Sequence, residues 1–179
     1  MTMTLSGSGS IAGLVAGGLP DASVTQADLA SPVAGNGPAC RVKVSSDQSI
    51  SHNTQTKIQL AQEAFDTNNC FDSSTNYRFT PTVAGYYQLN LNMTISTTSG
   101  QAYYVMPQFY KNGAQTCLIE DSCTGNASGR YATNLVDTMY FNGTTDYVEM
   151  YAYVYNYNAS AGVSVKTDTY FSASLVRAA

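Results

Sequence analysis

Tryptophan is absent from the 179 residues, and histidine occurs once, at His52. One imidazole excludes the His-rich clusters that hold zinc or copper, and it lies in a stretch, SISHNTQ, that reads as a strand edge or turn, where a solvated side chain is the ordinary expectation. Charge is also scarce. Charged side chains make up 11% of the chain, against roughly a quarter in ordinary soluble domains, and the 12 acids and 8 bases leave a net charge of −4. Lys and Arg never run together, so nothing can track a phosphate backbone and nucleic acid is excluded as a partner. No stretch approaches the roughly 18 consecutive apolar residues of a spanning helix, which excludes membrane insertion by helices. The opening MTMTLSGSGSIAGLVAGG lacks the basic flank of a secretion signal, so we expect it to remain in the mature protein, made in the cytoplasm of the cell that expresses it.

Catalytic signatures are missing too. There is no GxSxG elbow for a serine nucleophile, and SGSGS is followed by neither a Lys nor a strand-to-helix context, so it is no phosphate-binding loop. The acids are scattered rather than paired as glycoside hydrolysis would require. Cys40, Cys70, Cys117 and Cys123 are not spaced like a zinc site, and buried free thiols are the simplest reading. A bond between Cys117 and Cys123 would close the loop CLIEDSC, and Glu120-Asp121 within it could bind calcium or simply form a solvated tip. We therefore expect no enzyme, no metal and no cofactor.

What the chain has in abundance is Gly, small polar residues and 14 tyrosines. Residues 1–38 are rich in Gly, Ala and Ser and cannot make a core, so they read as an extended N-terminal arm. One short helix is expected in it, SVTQADLA, with Ser23 capping the first turn while Gln26 reaches back. Ile11, Leu14, Val15 and Leu19, in IAGLVAGGLP, are its docking candidates, because absent side chains let two backbones approach closely.

From residue 39 to 179 the pattern is strands and turns. TKIQL places Ile58 and Leu60 inward, and YQLNLNMTIS alternates without a fault, with Leu89, Leu91, Met93 and Ile95 on one face. Asn112-Gly113 and Asn142-Gly143 mark turns. Eight to ten strands over this length predict an all-β, two-sheet jelly-roll sandwich. The segment YVEMYAYVYN is unusual. Its core face is Val148, Met150, Ala152 and Val154, yet the face that water should wet carries Tyr147, Tyr151, Tyr153, Tyr155 and, one step on, Tyr157.

The order of these motifs resembles the globular heads of the complement first component and tumour necrosis factor superfamily, also found on tailed-phage appendages. EAFDTNNCFDSSTNYRFTPTVAGYYQLNLNMTI is similar to the central signature, and FNGTTDYVEMYAYV followed by TYFSASLV is similar to the C-terminal one. Asp146 stands three residues after Gly143 instead of beside it, and Phe171-Ser172 lacks the usual following glycine. The resemblance implies a homotrimer, and with it a cover for the tyrosines: Tyr147, Tyr151, Tyr153, Tyr155 and Tyr157, extended by Tyr103, Val105 and Phe109, would meet their copies around a threefold axis. Solvent exposure of a half-buried strand and stacking against saccharide are the competing readings.

Together these features lead to an expected function. A sparsely charged trimeric head with a Gly-rich arm and no catalytic constellation reads as a bacteriophage virion structural protein, made in the host cytoplasm and released by lysis. The arm would contact other virion proteins. The head would be a short tail fibre or receptor-binding knob that meets host-surface saccharide, with Glu120, Asp121, Asn126 and Arg130 as the receptor loop. The alternative is a capsid decoration protein that stabilises the shell.

Overall fold

A computed structural model describes residues 37–97, 103–123, 129–156 and 162–179. The arm, with its expected helix and with Ile11, Leu14, Val15 and Leu19, lies outside the described residues. Every regular element among the described residues is a strand, and the strands form two seven-stranded antiparallel sheets. Fourteen strands exceed the eight to ten expected, because several are edge pieces of two or three residues that alternation cannot reveal.

The first sheet is built around β7 (Gly85–Thr97). One edge of β7 pairs along its whole length with β11 (Gly129–Phe141), and the other edge takes β13 (Val163–Val165) and β14 (Tyr170–Ala178). Beyond β14 lie β1 (Ala39–Lys43) and β4 (Gln62–Asp66), while β2 (Gln48–Ile50) borders β13. The second sheet is built around β12 (Val148–Asn156). β12 pairs with β8 (Tyr103–Lys111) on one side and with β3 (Thr56–Lys57) and β6 (Arg78–Phe79) on the other. The outer edge of β8 takes β9 (Ala114–Leu118) and β10 (Asp121–Cys123), and β5 (Phe71–Asp72) borders β6.

Period-two alternation puts one face of each sheet into a shared core. Leu89, Leu91, Met93 and Ile95 of β7 are fully buried, as are Val148, Met150 and Ala152 of β12, and Ile58 and Leu60 point inward as expected. Phe79, Tyr87 and Phe141 meet edge to face at 5.5–5.9 Å, the geometry that aromatic quadrupoles favour. Tyr87 is buried whole because its hydroxyl finds an acceptor, donating to the Val83 carbonyl at 2.8 Å. Two turns set register. Asn112 and Gly113 both have positive φ, 52° and 80°, the tight turn that joins β8 to β9. Gly143 has φ 75° and lies so close to the chain at Val83–Ala84 that a Cβ would sit 2.4 Å from the Ala84 nitrogen.

Candidate functional site

No groove gathers the residues singled out from the sequence; they divide between the outward faces of the two sheets and one end of the sandwich. The second sheet carries the tyrosines. Tyr151, Tyr153 and Tyr155 project from the outward side of β12, where the register sets them opposite Gln108, Met106 and Tyr104 of β8. All three are half-buried in the single chain, flanked by side chains from residues 52–57, which run beside β12 and bond to its backbone at Tyr151, Ala152 and Val154. Tyr153 donates its hydroxyl to Asn53, His52 lies 5.0 Å from the Tyr155 ring, and Lys57 lies 5.8 Å over the Tyr151 ring. Tyr151 also stacks on Tyr110 at 4.4 Å, and Tyr110 reaches Gln55 with its hydroxyl. Burial pushes the Tyr151 phenol above its ordinary value, with the neighbouring Glu149 charge adding to it. His52 is therefore packed against a ring, where a solvated side chain was expected.

Glu149 explains why one acid can interrupt the stripe. It is only 8% exposed, and Lys57 pairs with it at 2.7 Å across the strands. Tyr147 is roofed by the Arg78 guanidinium at 4.4 Å from its centroid. Two members assigned to this surface belong elsewhere: Val105 and Phe109 are fully buried and sit opposite Val154 and Met150 in the core. β8 is apolar on both sides, so alternation did not reveal its facing. Polarity gave no signal either, since Lys111 shares the parity of Phe109 and Gln108 on the other parity is only 2% exposed. The backbone of Tyr103 pairs with Asn156, whereas Tyr157 lies outside the described residues.

The outward face of the first sheet differs. Tyr86 and Tyr140 are cross-strand partners with rings 5.5 Å apart, and Val136 pairs with Asn90 in the same ladder. Tyr86, Val136, Tyr140 and Val176 are 41–48% exposed. Around them are Gln88, Thr138, Ser172 and Ser174, with the Asn134 side chain donating to Asn90 at 2.8 Å. No outward side chain of β7 is charged, nor any of β11 between Ala132 and Tyr140, nor any of β14 between Tyr170 and Val176. None of these four apolar residues stood out in the sequence. Val136, alone between Asn134 and Thr138 on the polar parity of its strand, was the signal to find.

The expected receptor loop is not one cluster. Arg130 opens β11 in the first sheet and pairs with Asp168 at 2.5 Å, while Asp121 opens β10 in the second sheet opposite Val105. Glu120 is exposed, and Asn126 lies outside the described residues. No group of three His, Cys, Asp or Glu side chains converges among the described residues. The loop bond between Cys117 and Cys123 does not form. Cys117 pairs with Phe109 and Cys123 with Tyr103, six residues apart along β8 and so roughly 20 Å from each other, far beyond disulfide reach. Cys40, Cys70 and Cys117 are free thiols whose ionisation burial makes harder, so they are chemically quiet.

No protein-family model matches the chain, and no curated protein matches it in sequence. Solved structures do match. The globular domain of zebrafish complement 1qA protein superposes with a TM-score of 0.51 at 13% identity, covering 79% of this chain and 99% of that one. The Eiger TNF of S. frugiperda superposes with a TM-score of 0.52 at 10% identity, covering 80% of this chain and 95% of that one. Identity this low speaks for the fold alone: the chain has the jelly-roll fold of the C1q and TNF globular domains, as the motif order predicted.

Proposed function

We propose that this chain is the non-enzymatic, homotrimeric head of a bacteriophage virion appendage, a short tail fibre or receptor-binding knob, assembled through the outward face of its first sheet. The carrying observation is that face itself: four large apolar side chains, each about half exposed, set in a field of neutral polar groups. Covering the exposed half of each gains roughly 1 kcal/mol per side chain. A threefold axis multiplies that gain by three, and the surroundings of Val136 carry no charge, while Arg177 stands opposite Tyr86 and Lys111 lies 5.9 Å over the Tyr140 ring. An apolar sheet face of this kind marks a protein interface.

The tyrosine face of the second sheet offers less. Its rings are already half-covered, with the Tyr153 hydroxyl engaged by Asn53, the Tyr110 hydroxyl by Gln55 and the Tyr151 hydroxyl by Glu149, so a partner would gain little new area there. This leaves the second sheet turned outward, free for recognition. The Gly-rich residues 1–38 supply the attachment to other virion proteins, and sparse charge suits a particle released by lysis.

Two measurements test the reading. Sedimentation equilibrium of the full chain should give three times the 19.1 kDa chain mass; a monomer at micromolar concentration overturns the assembly. Gold-labelled antibody on intact particles should mark the tail. Label spread over the head would make this a decoration protein, and unlabelled particles would remove it from the virion.

A further inference from the structure

A cleft of about 480 Å³ opens at the edge of the second sheet, between β4 and the turn from Phe71 to Arg78. That is within the roughly 300–1,000 Å³ of small-molecule sites. Its wall is held rigid by Asp72. This carboxylate accepts the backbone N–H groups of Ser74 at 3.0 Å, Thr75 at 2.9 Å and Asn76 at 3.0 Å, together with the Asn76 side-chain amide at 2.7 Å. These bonds, that from Thr75 foremost, hold the Asp72 carboxyl well below the usual carboxylate range. Lys57 ties down the far end of the turn through the Asn76 carbonyl at 3.3 Å. Asp72 has thus spent its acceptor capacity on the wall and has none left for a ligand.

Two side chains in the cleft are not spent. Arg78 sits over the Tyr147 ring with its guanidinium carbon 4.4 Å from the centroid, and among the described residues its five N–H donors have no hydrogen-bond or ion-pair partner. Glu63 accepts from the Ser73 hydroxyl at 2.5 Å through one oxygen, and its second oxygen has no partner among the described residues. Asn69 and Thr80 add an amide and a hydroxyl to the lining, likewise unpartnered. A donor fork and an acceptor in the lining of one cleft, with small polar groups beside them, match a ligand that both donates and accepts along its rim.

We propose that this cleft binds one neutral hexopyranose unit of a saccharide, with Arg78 donating to ring hydroxyls and Glu63 accepting from them. Charge decides the class. Two carboxylates and one guanidinium line the cleft and the chain carries −4, so an acidic sugar is repelled. A polyol satisfies both groups without bringing charge. The assignment deepens the recognition reading above and rests on it, naming the ligand class and the residues that read it.

Saturation-transfer NMR on the full chain tests the proposal, using the methyl pyranosides of glucose, galactose, mannose and N-acetylglucosamine, with methyl glucuronide as the anionic comparison. At least one neutral glycoside should show saturable transfer. Arg78→Gln and Glu63→Gln should each weaken it about tenfold or more, the usual loss when a hydrogen bond to a charged group is removed. Lys43→Gln, outside the cleft, should change nothing. Transfer that survives both cleft variants overturns the site, and transfer from the glucuronide alone overturns the neutral class. Silence from every glycoside overturns the proposal as a whole. The position of the protein on the particle is read separately by gold labelling, so failure of the cleft and failure of the virion reading are told apart.

Discussion

The two sheets present outward faces that differ less in apolar content than in what has already been done with it. The second sheet carries the denser aromatic surface, yet its own chain has claimed that surface: Tyr153 is bonded to Asn53, Tyr155 packs on His52, and Tyr151 is held between Tyr110 and Lys57. The first sheet has fewer large side chains, and four of them are left about half exposed. Association free energy comes from area still open to water, and on that ground the plainer face is the one we propose as the interface. Counting aromatics identifies strands; it does not identify what those strands will touch.

The contrast can be broken at several points. The largest effect is expected from Val136→Lys, which carries a cation into the centre of the first face on every subunit. Assembly should weaken by about 3 kcal/mol or more, since a charge would be buried there without a partner, and sedimentation equilibrium should give a monomer with unchanged circular dichroism. A trimer that tolerates Val136→Lys and falls apart on Tyr153→Lys would invert the comparison and return the interface to the tyrosine face.

Next comes Lys57→Met, which strands Glu149 on the second face. The pair is only partly shielded from water, with side-chain exposures of 31% and 10%, so the expected cost is about 1–2 kcal/mol, seen as a lower Tm with the oligomer unchanged. Asp72→Ala removes the acceptor that holds the cleft wall and should cost about 1 kcal/mol, as the loss of a cap does. Its pH dependence has a definite sign. The hydrogen bonds depress the folded-state pKa of Asp72, so its stabilisation is fully present above the unfolded value near 3.9 and is lost as pH falls through the folded value. The wild type should therefore lose part of its advantage over Asp72→Ala in melts below about pH 4 and keep it at pH 7. The smallest effect is Tyr153→Phe, which removes one exposed hydroxyl bond to Asn53. It should cost under about 1 kcal/mol and leave both mass and glycoside binding unchanged.

Much of the fold was legible because it is written at short range. Leu89, Leu91, Met93 and Ile95 declare a half-buried strand by themselves, and Asn112-Gly113 declares the turn that closes β8 onto β9. The candidate site was less legible. Val105 and Phe109 were assigned to the wrong face because β8 is apolar on both parities, and only pairing with β12 tells them apart. Arg130 and Asp121 looked like one loop because they are nine residues apart in sequence, yet the chain between them passes from one sheet to the other. The Arg78–Glu63 cleft was invisible, since its members come from separate strands and neither residue is unusual where it stands in the chain.

By itself, then, the sequence determined the alternation, the turns and hence the two-sheet sandwich, because each depends on neighbours two to four residues away and on the preference of Asn and Gly for positive φ. Only the tertiary structure decided which outward face stays bare. The flanking of the tyrosines comes from residues 52–57, about a hundred positions upstream of them, and the open patch of the first sheet exists because β7, β11 and β14 lie side by side there, with Tyr86, Val136 and Tyr140 left 41–47% exposed. A period of two reports that a side chain leaves the core and carries no information about what waits on the other side.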